Sequence, residues 1–150
     1  MSNRTLYTLA IALLVTPGLA AAKTAGCPAP VKDAAMKAYP ASKVTACKEE
    51  KEKGKTQYEV KLQTKEAKKL EMDISPEGTV LLTEEAVATS AVPAAVMSAF
   101  DTKYSKMKPA KADRQTKPDG TITYELAWKD AKGKKHEATF KEDGTFVEAE

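Results

Sequence analysis

The chain says the same thing twice, and any fold it adopts has to accommodate two copies of one unit. Pro28–Tyr39 reads PAPVKDAAMKAY and Pro93–Tyr104 reads PAAVMSAFDTKY. A shift of 65 sets Pro28 on Pro93, Ala29 on Ala94, Val31 on Val96, Ala34 on Ala99 and Tyr39 on Tyr104. A shift of 66 then sets Gly54 on Gly120, Tyr58-Glu59 on Tyr124-Glu125, Lys68-Lys69 on Lys134-Lys135, Glu71 on Glu137 and Gly78-Thr79 on Gly144-Thr145. The unit is roughly 60 residues long, and self-similarity at a fixed spacing marks a duplicated supersecondary scaffold.

Each copy changes its apolar period once. Val96, Phe100 and Tyr104 recur at i, i+4 and i+8, one stripe of a helix, and Val31, Ala35 and Tyr39 hold the same places in the first copy. Pro93 suits a first helical turn, and Pro40 stops the first helix, predicted over Pro30 to Tyr39. After the helix the period becomes two. Tyr58, Val60 and Leu62 alternate with polar neighbours, as do Leu70, Met72 and Ile74. In the second copy Tyr124, Leu126 and Trp128, then His136, Ala138 and Phe140, keep that phase. Alternation of this kind predicts antiparallel strands with one buried face and one wet face. Turns are explicit at Lys53-Gly54, Pro76-Glu77-Gly78, Pro118-Asp119-Gly120, Lys132-Gly133 and Asp143-Gly144. The predicted class is α+β: two tandem repeats, each an N-terminal helix packed on an antiparallel sheet of about four strands. Glu85 to Ala91 reads as the joint between them.

Ahead of the repeats stands an address. Arg4 is followed by the apolar run Leu6–Val15 and the small residues Ala20-Ala21-Ala22. That is the anatomy of a secretory signal, predicted over 1–22 with cleavage after Ala22, and the run is short for a membrane span. An uncleaved anchor is the alternative. A lipoprotein reading of Thr24-Ala25-Gly26-Cys27 is disfavoured by the distance of the apolar run and by Lys23. The predicted organisation is signal peptide 1–22, first repeat 23–85, linker 86–91 and second repeat 92–150, in a periplasmic or secreted protein. Export permits oxidation of the two cysteines, Cys27 and Cys47. A ten-residue helix rises about 15 Å and a strand back from Lys43 to Cys47 covers about 13 Å, so the pair can meet as a local staple. Strict alternation from Val44 and Ala46 would turn Cys47 to the wrong face, and a bulge or a shifted strand start would restore it.

These motifs together resemble the PepSY-like proteins, small exported bacterial proteins related in fold to the β-lactamase inhibitory protein. The resemblance rests on the VPAAV-type helix ending in Tyr, the YEV and YEL strands, the KKLE and KKHE strands and the PEGT and EDGT hairpins, and spans Pro28 to Glu150 in two copies. It implies a binding or inhibitory role rather than catalysis. In the inhibitory protein an aromatic-rich concave sheet face grips the enzyme. Here the outward positions of the YEV and YEL strands are Gln57, Glu59, Lys61 and Gln63, then Thr123, Glu125, Ala127 and Lys129. None is aromatic. Tight interfaces lean on aromatic and Arg anchors, so potent β-lactamase inhibition is not expected.

Chemistry is sparse. The single histidine, His136, aligns with Leu70 and reads as a half-buried strand residue lacking metal partners. No Ser or Cys sits in a nucleophile's context, and no phosphate loop or calcium loop is present. The chain holds 24 Lys and Arg against 21 Asp and Glu, a formal charge of +3 that falls by one when Arg4 is removed. Only Arg4 and Arg114 are arginines, which with export argues against nucleic acid as a partner. The reading is therefore an exported non-catalytic binding module without cofactor or metal, acting on another envelope protein such as a peptidase. Its outer sheet face reads as charge-balanced. The alternative is a carrier or sensor of a small envelope ligand.

Overall fold

The computed structural model describes residues 26–150, so the expected export signal lies outside the described residues. The order is α1 (Ala29–Ala38), β1 (Lys43–Glu52), β2 (Lys55–Gln63), β3 (Lys69–Ile74), β4 (Val80–Val87), a 3-10 turn (Thr89–Ala91), α2 (Ala94–Lys103), β5 (Lys111–Thr116), β6 (Ile122–Lys129), β7 (Lys135–Lys141) and β8 (Phe146–Ala149). The class is α+β. All eight strands form one antiparallel sheet in chain order, not a separate sheet of about four for each copy. The join is the β4–β5 pairing, from Thr83 opposite Thr116 to Val87 opposite Ala112. Its physical cause is that a four-stranded unit ends in a row of unpaired N–H and C=O groups. Edge on edge, the two units satisfy them. Glu85 to Val87, expected in the joint, belong to β4 for this reason.

Both helices lie on one face of that sheet. Successive register partners Leu70, Glu85, Arg114, Tyr124 and Phe140 share a face, which links the floor under α1 to the floor under α2. Each helix starts after a proline whose carbonyl accepts the first helical bond, Lys32 N–H to Pro28 at 2.9 Å and Met97 N–H to Pro93 at 3.1 Å. Val31 and Ala35 point down from α1 onto Val60, Leu62, Leu70, Met72 and Ile74. Val96 and Phe100 point down from α2 onto Tyr124, Leu126, Trp128, Ala138 and Phe140. The hairpin glycines of PEGT and EDGT seat the two helices. Gly78 (φ 89°) and Gly144 (φ 85°) each lack a Cβ that would stand 2.7 Å from a helix carbonyl, Pro30 O and Ala95 O respectively.

Cys27 and Cys47 form a disulfide, with their Cα atoms 5.4 Å apart. A β-bulge makes it possible. Register shifts between Val44, opposite Leu62, and Ala46, opposite Lys61, so Thr45 is the extra residue and Cys47 faces Val60 on the helix side. The sequence also predicts an inner-face core position for Phe146, and here the structure differs. It sits on the helix face opposite Phe140 but is 40% exposed, because β8 is the edge strand.

Candidate functional site

The face turned away from the helices is a hollow. In a flat sheet, seven spacings of about 4.8 Å would hold β1 and β8 about 34 Å apart. Yet Lys53 Nζ, in the β1–β2 turn, lies 3.4 Å from Glu148 Oε2 in β8. The sheet is therefore strongly curled, with the helices on its convex side. The concavity measures about 620 Å³ and is bordered by both ends of the sheet, from Glu50–Lys53 to Val147–Glu150.

Its lining is not charge-balanced. Of 24 lining residues, eleven are Asp or Glu and four are Lys, in a chain whose lysines and arginines outnumber its carboxylates. The register sets like charges directly opposite one another: Glu59 and Asp73, Glu71 and Glu84, Asp113 and Glu125. Such pairs oppose folding. The balance expected of this face came from the outward positions of β2 and β6 alone. The excess comes from Glu71, Asp73, Glu84, Asp113 and Glu137 on the strands between and beside them.

The two halves of the hollow handle this crowding differently. In the first, Lys61 Nζ lies 3.1 Å from Glu59 and 3.0 Å from Glu71. Near the seam, Gln115 stands in for a cation. Its Nε2 donates to Glu84 at 2.8 Å and Glu125 at 3.1 Å, while its Oε1 accepts from Thr123 Oγ1 at 2.9 Å. That amide is only 8% exposed, a built bridge across three strands.

Burial pushes the Glu84 carboxyl up to about 7, with the charges of Asp73, Asp113 and Glu71 adding to it and the Gln115 bond opposing it. Burial likewise lifts Glu125 to about 7, supported by Glu84, Glu137, Asp113 and Glu150. Asp73 rises to about 6, by burial first and then by Glu52, Glu50, Glu59 and Glu71. Asp113 is raised too, chiefly by burial and by Glu71. These carboxylates are desolvated and mutually repelling, the condition in which a positive ligand gains most.

The residues singled out in the sequence lie elsewhere. Cys27 and Cys47 are on the helix side, in the first core. His136 is stacked on Trp128, ring centroids 5.6 Å apart, with Nε2 3.1 Å from Asp130 Oδ2. Among the described residues no three His, Cys, Asp or Glu side chains are grouped to hold a metal ion. None of the described helices is long and apolar enough to cross a membrane.

A family model described as "putative beta-lactamase-inhibitor-like, PepSY-like" matches the chain twice, over residues 21–82 and 81–148. Two solved structures share the fold. One, described as a putative periplasmic protein from Bacteroides eggerthii, has a TM-score of 0.66 at 16% identity, covering 83% of this chain and 88% of its own. The other, a BLIP-like protein from Bacteroides fragilis, has a TM-score of 0.58 at 22% identity, covering 81% of this chain and 83% of its own. No curated protein matches the chain.

Proposed function

Since the chain belongs to this PepSY-like, β-lactamase-inhibitor-like family, we propose that it is an exported, non-catalytic binding module that holds another envelope protein in the concave face of its sheet. The observation that supports this reading is the hollow itself. The eight strands and the chain end collect eleven carboxylates on one curved surface and set several directly against each other, at a cost to folding that nothing in the two cores requires. A surface built against its own stability is expected where a partner relieves the strain. Residues 1–22 act as the export signal in this reading, and intact mass of exported protein, beginning at Lys23 with no lipid on Cys27, checks that step.

The curled sheet suits the reading better than an enclosed carrier. Small-ligand sites are mostly apolar with a few placed polar groups, whereas this lining is dominated by carboxylates. The missing aromatic residues make potent inhibition of a β-lactamase an unexpected outcome. The test is capture of partners from an envelope extract, comparing the protein with a Thr139→Cys variant whose added thiol carries a bulky maleimide in the hollow. Loss of the captured protein supports the concave face. Equal capture by blocked and unblocked protein moves the site to the edge strands or loops.

A further inference from the structure

The repeat alignment extends to charge, and there the copies differ. Lys61 follows Glu59 by two residues on β2 and stands directly opposite Glu71 on β3. The equivalents on β6 and β7 are Ala127, Glu125 and Glu137, and Glu137 again stands directly opposite Ala127. Both carboxylates are kept and the ammonium between them is gone. Lys111 faces Ala127 from β5, but it is exposed and forms no ion pair among the described residues, acting on Asp113 only as a neighbouring charge. A second observation lies beside this gap. Thr139 lines the hollow opposite Glu125 and is only 8% exposed, yet its hydroxyl makes no side-chain hydrogen bond among the described residues. The first copy is thus an internal template for what is missing from the second.

We propose that the second half of the hollow takes a lysine side chain from an extended cationic segment of the partner protein, its ammonium sitting between Glu125 and Glu137 as Lys61 sits between Glu59 and Glu71. This rests on the concave-face reading and adds the partner's chemistry. An ammonium has three donors, which Glu125, Glu137 and the Thr139 hydroxyl can accept. Carboxylates strung along separate strands, without a metal-sized cluster, suit charges spaced along a chain better than one divalent ion. A strand-like segment places same-face side chains about 6.8 Å apart, so a second lysine lies within reach of Asp113 and Glu84 nearer the seam.

The probe is a fluorescent peptide alternating Lys and Thr, followed by anisotropy at low and high salt against the oxidised protein. Binding that weakens with salt is expected. Ala127→Lys, which supplies the ammonium internally, should weaken it about tenfold or more, the loss of about 1.4 kcal/mol. Glu125→Gln with Glu137→Gln should do the same without adding bulk. Lys61→Ala should strengthen it, because it opens the equivalent place in the first copy, and a merely structural role for these residues does not produce that gain. Binding of Ala127→Lys within twofold of the parent, with its thermal melt intact, overturns the proposal. Spermine binding that is equally insensitive to Ala127→Lys overturns it as well, in favour of diffuse attraction. If the maleimide-blocked Thr139→Cys protein loses its captured partner while Ala127→Lys keeps it, the concave face stands and the lysine assignment falls.

Discussion

The two copies solve one packing problem with different materials. The first puts Ala35 at the centre of its helix face, where the second puts Phe100. The smaller helix residue comes with Met72 in place of Ala138 and with a disulfide between Cys27 and Cys47. The second has Val92 and Ala112 at the disulfide's places, both buried, and a cluster of rings instead. Phe100 lies 5.1 Å from Trp128 edge-on and 6.4 Å from Phe140, with Tyr104 4.5 Å from Trp128. A covalent tie in one copy and aromatic burial in the other hold the same helix on the same strands. The backbone plan is what duplication preserved; the means of holding it diverged.

The sharpest way to break that comparison is to remove the ring. Phe100→Ala, with Trp128 as reporter, should cost about 3–5 kcal/mol, the range for emptying a fully buried aromatic site. Trp128→Ala should fall in the same range. Its unfolding can be followed by backbone circular dichroism. An unchanged denaturant midpoint for either variant would mean that the second copy does not depend on its aromatic cluster.

Next is the staple. The disulfide spans a sequence separation of 20, and the chain-entropy account values such a loop at roughly 3 kcal/mol. Replacing both cysteines by alanine should lower stability by about that amount. Because β4 and β5 are paired, the loss should appear in one cooperative transition. Two transitions would show that the seam is weaker than either core. No change at all would show that Val31, Ala35 and Met72 suffice without the tie.

How much of this was legible beforehand follows the range of the interactions. Helix stripes, strand phases and hairpin glycines are local patterns, and Val96, Phe100, Val60 and Leu126 are buried as their periods require. The phase of Cys47 against Val44 called for a bulge or a shifted strand start, and the structure has the bulge, at Thr45. The single sheet was not legible, because the β4–β5 pairing joins strands separated by a helix, and neither strand has clean alternation. Glu85 and Arg114 meet on the helix face at 2.9 Å, so the apolar signal breaks at the seam. The acidic hollow was missed for the same reason. Its residues alternate correctly one strand at a time, but only register sets Glu71 against Glu84 and Asp113 against Glu125.

A smaller effect tests what the copies share. Gly78 and Gly144 combine positive φ with close approach to a helix carbonyl, while Gly54 has positive φ and open space. Alanine in left-handed backbone costs about 1–2 kcal/mol. Gly54→Ala should show that cost alone. Gly78→Ala and Gly144→Ala should each cost more, since a Cβ would press on Pro30 O or Ala95 O. Equal losses at all three positions would mean that the helices shift without penalty.

The smallest expected effect concerns the hollow. Glu125 has its carboxyl lifted to about 7, above the ordinary value near 4.3. The folded state therefore holds that proton more tightly than the unfolded chain does. The stability contributed by the protonated form is present at low pH and is lost as pH rises from roughly 4.3 to 7, with no further change above. Burial is the chief cause, and carboxylates add to it from every side: Glu84 on β4, Glu137 on β7, Asp113 on β5 and Glu150 at the chain end. Glutamine at position 125 keeps the shape and removes the charge. Glu125→Gln should thus gain on the order of 1 kcal/mol at pH 8, after allowance for solvent screening, and little or nothing at pH 5. Ala127→Lys should give a gain of the same sign by compensation. Lys61→Ala should do the reverse in the first copy, lowering stability by removing the ammonium that Glu59 and Glu71 share. If Glu125→Gln gains nothing at pH 8 while Lys61→Ala still loses, the second copy has another source of neutralisation. The gap at Ala127, the place of Lys61 in the second copy, would then be one of sequence, not of charge.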